Sequence, residues 1–279
     1  MGGSQMKERE YLLIALDMDG TLLNSGQEIT PRAGRAMEEI MRRGKQVVFS
    51  TGRCIREMEA YLEAFPSMKY LICESGACVY DLQKKKHIAR IPIPPRLVLK
   101  VIACVEGEDI LTSFFMGNRP FMDTAYMRRL AAFGLGDFDE VFRQSVVKVE
   151  NLFSFYRENP MEVEKINLFF KDGDSRRKAL EKIARLPLSL ASSLAGNLEI
   201  NAQRANKGEG LRILCNHLQI PMEAVIAVGD NSNDVEMLQA AGFPAAVGNA
   251  VPRVKALARE ITEDCDHDGA AIIMEKYML

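Results

Sequence analysis

The sequence predicts an α/β protein: a parallel sheet with helices on its faces, interrupted by an inserted α+β unit. Three observations predict it. Apolar runs at Tyr11 to Leu16, Gln46 to Ser50 and Tyr70 to Cys73 alternate with segments of helical spacing, the β-α-β-α-β rhythm of a parallel sheet. After Asp81 the texture changes: Lys84-Lys85-Lys86 and then Pro92, Pro94 and Pro95 lead into a mixed pattern that lasts to about Asn201. From Lys207 the α/β rhythm returns, so the middle reads as a separate unit set into the first domain.

The first run is short, nearly all apolar and followed by Gly20, as expected of a strand buried on both faces. Thr30 and Pro31 suit the cap and first turn of a helix; Ala33, Ala36, Met37, Ile40 and Met41 recur at helical spacing, and Gly44 ends it. The strand Gln46 to Ser50 runs into Ser50-Thr51-Gly52-Arg53. A helix over Ile55 to Phe65 leads to the strand Tyr70 to Cys73, then to Glu74-Ser75-Gly76-Ala77 and a short strand through Tyr80. The lysine run reads as a solvated turn. The inserted unit is expected to hold helices over Val98 to Val105, Asp123 to Phe133 and Ser175 to Ala184. Its expected strands are Ile110 to Met116, Lys165 to Phe170, Leu188 to Leu190 and Leu198 to Ile200. Beyond it, Lys207 to Leu218, Val235 to Ala240, Pro252 to Ala258 and Gly269 to Tyr277 read as helices. Ala224 to Val228 and Phe243 to Val247 read as strands.

With 279 residues, 47% hydrophobic and 27% charged, the composition is that of a soluble globular protein. A net charge of -2 leaves no global basic footprint for nucleic acid, and no apolar run approaches the roughly 20 residues of a bilayer span. The polar N-terminus has no signal-peptide core, so a cytoplasmic location is expected, with Met6 a second candidate start. The six cysteines show no C-x-x-C and no zinc-type spacing with His87, His217 or His267, which predicts reduced core thiols. No Walker A, G-x-S-x-G, H-E-x-x-H or G-x-G-x-x-G motif is present.

Four polar clusters fall at strand ends or helix starts: Asp17/Asp19, Thr51-Gly52-Arg53, Lys207-Gly208 and Asp230 to Asp234. In open α/β sheets ligands bind at the carboxyl ends of the strands. Two carboxylates as close as Asp17 and Asp19 resist joint ionisation unless a cation sits between them. Each cluster alone is a weak signal, readable as a turn, a solvent-exposed lysine or a capping turn, and the Gly-Asp-x-x-Asn-Asp stretch after an apolar strand is the strongest of them. Together they offer hard oxygen ligands suited to Mg²⁺ (Asp17, Asp19, Asp230, Asp234) and donors suited to phosphate oxygens (Thr51, Lys207, Asn233), which is the inventory of a phosphoryl-transfer site.

On Asp17-Met18-Asp19-Gly20-Thr21, Ser50-Thr51-Gly52-Arg53, Lys207-Gly208 and Gly229-Asp230-Asn231-Ser232-Asn233-Asp234, in that order, the chain resembles the haloacid dehalogenase superfamily phosphatases. The resemblance is to the Cof-type subgroup with a large cap, type IIB, and covers nearly the whole chain. It implies a Rossmann-like doubly wound core at residues 1–83 plus 202–279 and an α+β cap of type C2 at 84–201 that selects the substrate. It implies that Asp17 is the nucleophile, that Asp19 is the acid and base, that Thr51 holds the phosphoryl group and that Lys207 offsets charge. By the same resemblance Gly20, Thr21, Gly52, Arg53 and Asn233 would lie at the substrate. Mg²⁺ would sit on Asp17, Asp19 through its carbonyl, and Asp230, with Asp234 as ligand or support. The expected partner is a small phosphorylated metabolite, either a sugar phosphate or a phosphorylated cofactor, and the expected state is a monomer or weak homodimer. Rival readings are a phosphomutase with similar core and cap, and a non-catalytic phospho-acceptor or binding module.

Two departures from the family pattern matter. Ser75 stands where the subgroup usually has Asn before Gly76, which is expected to alter a turn or a substrate-edge contact. Arg204, shortly before Lys207, is expected to face solvent, and Gly117-Asn118-Arg119-Pro120 to be a plain turn.

Overall fold

The computed structural model describes residues 10–136, 143–192 and 196–279. Two sheets organise them. The first has eight strands in the order β14-β13-β12-β1-β2-β3-β4-β5. These are β1 (Leu13–Leu16), β2 (Gln46–Ser50), β3 (Tyr70–Cys73), β4 (Cys78–Asp81), β5 (Lys86–Arg90), β12 (Val225–Gly229), β13 (Phe243–Ala246) and β14 (Glu260–Ile261). From β14 to β3 every pairing is parallel; β4 and β5 add an antiparallel hairpin at one edge.

The second sheet has six strands in the order β10-β11-β9-β6-β7-β8. They are β6 (Leu111–Met116), β7 (Arg119–Asp123), β8 (Val147–Val149), β9 (Lys165–Phe169), β10 (Leu188–Ala191) and β11 (Asn197–Ala202). Only β7 and β8 pair in parallel among them. Each sheet has its own core. Leu13, Ile14, Val48, Phe49 and Ile226 anchor the first, and Val98, Ile102, Phe114, Tyr156 and Ile166 the second.

The strands β1 and β12 are buried along their whole length, as a central parallel strand covered on both faces must be. Around them the helix Pro31–Arg42 is capped by Thr30, whose side chain accepts from the Ala33 N–H, and Pro31 occupies its first turn. The helix Lys207–Leu218 packs on Val235–Ala240. It can do so because residue 208 is glycine: a Cβ there would lie 2.3 Å from the Glu236 carbonyl oxygen.

Several expectations need correction. The strand β5 is hydrogen-bonded to β4, so the first sheet runs past the boundary expected at residue 83, and Lys86 opens a strand instead of closing the turn. No α-helix covers 123–133. Asp123 ends β7, its carboxylate accepts the Ala125 N–H, and two 3-10 turns follow at Tyr126–Arg128 and Leu130–Phe133. Met127 in the first turn and Leu130 and Phe133 in the second fill a small core with Leu111, Met122 and Phe169. The helix expected from Val98 begins earlier, at Pro95, with proline in its first turn. The helix from Pro252 is one turn, ending at Lys255. The strands β7 and β8 and the helix Leu152–Glu158 lacked a readable period in so short a span.

Candidate active site

The strands β12, β1, β2 and β3 lie side by side, and each sends a polar loop from its carboxyl end to one edge of the sheet. The loop after β1 carries Asp17 and Asp19, that after β2 Thr51 to Arg53, that after β3 Glu74 to Gly76, and that after β12 Asp230 to Asp234. This is the switch-point geometry at which α/β sheets bind ligands.

Lys207 begins its helix directly after the cap Asn206, whose side chain accepts the Glu209 N–H. The lysine is fully buried and its Nζ donates to Asp17 Oδ1 at 2.5 Å and to Asp234 Oδ1 at 2.6 Å. Burial opposes the ammonium, but the two carboxylates outweigh it and push its pKa up. Asp234 spends its other oxygen on the backbone N–H groups of Asp230 and Asn231, at 3.0 and 3.1 Å. Its carboxylate therefore both shapes the loop and holds the lysine. Asp230 accepts from Thr21 Oγ1 at 3.1 Å. Gly20 has φ +80°, and a Cβ there would lie 2.9 Å from Asp230 Oδ2, so glycine is what lets the two loops meet.

One carboxylate oxygen from each of Asp17, Asp230 and Asp234 falls within 4.8 Å of the others. Three acids face one ammonium. Burial, followed by repulsion from Asp234, holds the Asp17 carboxyl well above the usual range, and Lys207 offsets only part of this; Asp230 is pushed up to about 6 by burial and then by Asp234. The site lacks positive charge for its oxygens, and the all-oxygen donor set suits a hard divalent ion such as Mg²⁺. A second group, Cys73, Glu74 and Cys78, also converges. Its thiol Cys73 is pushed up by burial and the Glu74 carboxyl to about 8 by burial and then Glu164, so these two are held in their protonated forms.

Asp19 stands apart from the carboxylate trio. Arg53 grips it with two hydrogen bonds, Nε to Oδ2 at 2.9 Å and Nη2 to Oδ1 at 2.5 Å, and also reaches Gln27. The guanidinium lies 5.4 Å over the Tyr61 ring. Burial works against the Arg53 charge, and Asp19 outweighs it, so its pKa rises. Thr51 is fully buried and its Oγ1 accepts the Arg53 N–H at 3.1 Å.

These groups border a cavity of about 840 Å³, open solvent at its mouth included. Of the residues expected there, Asp17, Asp19, Gly52, Arg53, Asp230 and Asn233 line it. Gly20, Thr21, Thr51, Lys207 and Asp234 are not among its lining residues; next to the lining, Thr21 bonds Asp230, Thr51 accepts the Arg53 N–H, and Lys207 bonds Asp17 and Asp234. Arg204 is exposed and pairs with Glu209, as expected for a solvent-facing residue. Gly117 and Asn118, both at positive φ, form the tight β6–β7 turn.

The opposite wall comes from the second sheet, through Ser113, Phe115, Lys165, Asn167 and Glu199 among others. Sequence reasoning missed these. A signal did exist: Lys165-Ile166-Asn167-Leu168 and Asn197-Leu198-Glu199-Ile200 alternate polar and apolar residues, the pattern of strands with one polar face. That the polar face meets a cavity and not solvent depends on how the two sheets are placed.

A family model of haloacid dehalogenase-like hydrolases matches residues 14–274. A Bacillus subtilis protein named Phosphatase YwpJ is 29% identical, the match covering 94% of this chain and 98% of that one. A second Bacillus subtilis protein, named 5-amino-6-(5-phospho-D-ribitylamino)uracil phosphatase YcsE, is 28% identical over 99% of both chains. Among solved structures, a haloacid dehalogenase-like hydrolase from B. subtilis superposes with a TM-score of 0.85 at 25% identity, covering 95% of this chain and 99% of that one. With the family model spanning both sheets, this chain belongs to the haloacid dehalogenase-like hydrolases, in their Cof-type group.

Proposed function

We propose that this hydrolase is a magnesium-dependent phosphatase of small monophosphorylated metabolites that works through an aspartyl-phosphate on Asp17. The observation that carries the reading is the buried Lys207 bridging Asp17 and Asp234, with Asp230 beside them. An aspartate so placed is oriented, shielded from bulk water and partly neutralised, as a carboxylate nucleophile must be to approach a phosphate dianion.

In this reading Asp17 attacks phosphorus as the ester P–O bond breaks, and Asp19 gives its proton to the departing oxygen. Asp19, now a carboxylate, takes a proton from water as that water attacks the phosphoryl group. Phosphate leaves and Asp17 is restored. Thr51 and Asn233 hold phosphoryl oxygens, and Lys207 offsets the negative charge that gathers on Asp17. Asp17 and Asp230 would hold Mg²⁺, assisted by the Asp19 carbonyl. When bound, the ion supplies charge neutralisation at the phosphoryl oxygens. Arg53 grips both oxygens of Asp19 and so orients the group that serves as acid and then as base.

The second sheet acts as a cap that selects the leaving group. Among the described residues Ser113 Oγ and Asn233 Oδ1 are buried without a hydrogen-bond partner, and both residues line the cavity, which fits polar contact with a substrate. The printed names of the relatives support a phosphorylated metabolite as substrate. Among the described residues no helix is long and apolar enough to cross a membrane.

The deciding experiment is phosphate release from p-nitrophenyl phosphate with and without Mg²⁺, with Asp17→Asn alongside. Magnesium-dependent release that vanishes in a folded Asp17→Asn is expected. Near-normal release by that variant would sink the assignment.

A further inference from the structure

Two buried charged side chains of the second sheet reach out of their own domain. Lys165 opens β9 and Glu199 lies on β11, and both are 2% exposed. The register places Lys165 opposite Phe115 on β6 and Glu199 opposite Asn167 on β9, so both project from one face of the sheet toward the cavity. Lys165 Nζ donates to the Gly52 carbonyl at 2.5 Å and sits 4.5 Å over the Phe115 ring. Glu199 Oε2 accepts from Ser75 Oγ at 2.5 Å. The four groups meet at one point: a Cβ on Gly52 would lie 3.4 Å from Glu199 Oε1, 3.4 Å from Ser75 Oγ and 3.5 Å from Lys165 Nζ.

Gly52 and Ser75 belong to adjoining loops of the first sheet that are tied to one another. The Ser75 N–H donates to the Thr51 carbonyl and the Glu74 N–H to the Arg53 carbonyl, at 3.0 and 2.9 Å. The Glu74–Gly76 loop is not at rest by itself. Glu74 and Ser75 are non-glycine residues at φ +53° and +57°, a conformation that persists only where the surroundings impose it. Burying an ammonium against a neutral carbonyl is costly as well. The cost is intelligible if the contact fixes something the chemistry needs, and Gly52 stands between Thr51 and the Arg53 that grips Asp19.

We propose that Lys165 and Glu199 are positioning residues for phosphoryl transfer: from the second sheet they clamp the Thr51–Arg53 and Glu74–Gly76 loops, so that Thr51 and the Arg53–Asp19 pair are aimed only while that sheet is docked. This rests on the phosphatase reading. It assigns the second sheet a part in the chemical step in addition to the choice of substrate, so the effect extends to a small aryl phosphate.

The test uses the full chain with Lys165→Met, Lys165→Arg and Ser75→Ala. Two quantities are read: steady-state turnover of p-nitrophenyl phosphate with Mg²⁺, and amide hydrogen exchange of segments 50–54 and 74–77 without substrate. In Lys165→Met, kcat is expected to fall about 10- to 100-fold, the scale of a misplaced catalytic group, with KM much less changed. Exchange is expected to quicken in both segments together while segment 225–229 keeps its protection. Lys165→Arg, which restores a cationic donor, recovers most of kcat, and Ser75→Ala quickens exchange with a smaller loss. An inactive wild type overturns the phosphatase reading beneath the proposal. An active wild type overturns the clamp itself if folded Lys165→Met keeps its kcat within about twofold, or if the two segments exchange as before.

Discussion

Lys207 is a charge with no solvent to fall back on. Its Nζ has two acidic partners and the residue is fully buried, so removing it strands two carboxylates in the interior. Lys207→Met is expected to cost about 3–5 kcal/mol of stability, as breaking a buried ion pair does, and to abolish turnover. Urea denaturation beside the activity assay checks both; a fully stable variant would mean the acids find another counter-charge. Glu74 presents the opposite case, an acid whose two oxygens are buried with no hydrogen-bond partner among the described residues. Its folded pKa is about 8 against a usual 4.5. The folded state therefore keeps a proton that the unfolded chain has released, and this contribution to stability, complete below about pH 4.5, is lost as pH rises through 8. The loss approaches about 1.4 kcal/mol per pH unit inside that window. Glu74→Gln should flatten the dependence between pH 5 and 8, read as denaturation midpoints across that range; parallel curves for the two proteins would refute it.

Single helices and loops can fail without any polar group being touched. Gly208→Ala would drive a methyl into the Glu236 carbonyl at 2.3 Å, forcing apart two helices whose separation sets where Lys207 begins. The expected outcome is a loss of about 1–3 kcal/mol, typical of overpacking, together with a fall in turnover; differential scanning calorimetry and kcat measure them. At this scale much of the site was legible in the sequence. Asp17, Thr51, Lys207 and Asp230 each follow a strand or open a helix whose period was readable over a few residues, so spacing alone put them at ends of elements. Lys165 and Glu199 were not legible in that way. They lie mid-domain in strands from distant parts of the chain, and only the β9–β11 register and the approach to Gly52 give them meaning. The expected helix at 123–133 failed for a related reason, because a spacing of three satisfies an α-helix and a 3-10 turn alike.

The molecule as a whole is two sheets joined by two crossings, and their position decides how it can be divided. An excision of residues 84–201 removes β5 and leaves β4 as an unpaired edge, whereas an excision of 92–201 keeps the eight-stranded sheet whole. The shorter excision should yield the more stable and less aggregating core, measured by thermal melting and size-exclusion chromatography. Equal behaviour of the two would show that β5 adds nothing to the first sheet. In either trimmed core turnover should fall, since Lys165 and Glu199 are gone, and what remains should discriminate little among phosphate esters; a panel of substrates compared with the full chain tests both.

The return crossing, residues 202–206, joins β11 with its Glu199 to the helix that starts at Lys207. It is held tightly, since a Cβ on Gly76 would lie 2.0 Å from the Asn206 carbonyl oxygen. Its length is therefore fixed by two constraints at once, and a single inserted residue would shift the lysine or the glutamate. The exposed lysine turn between β4 and β5 carries no such constraint. Over evolutionary time the chain should accept insertions and deletions freely at that turn and almost never at 202–206, so the spacing from Glu199 to Lys207 should be among its most invariant lengths.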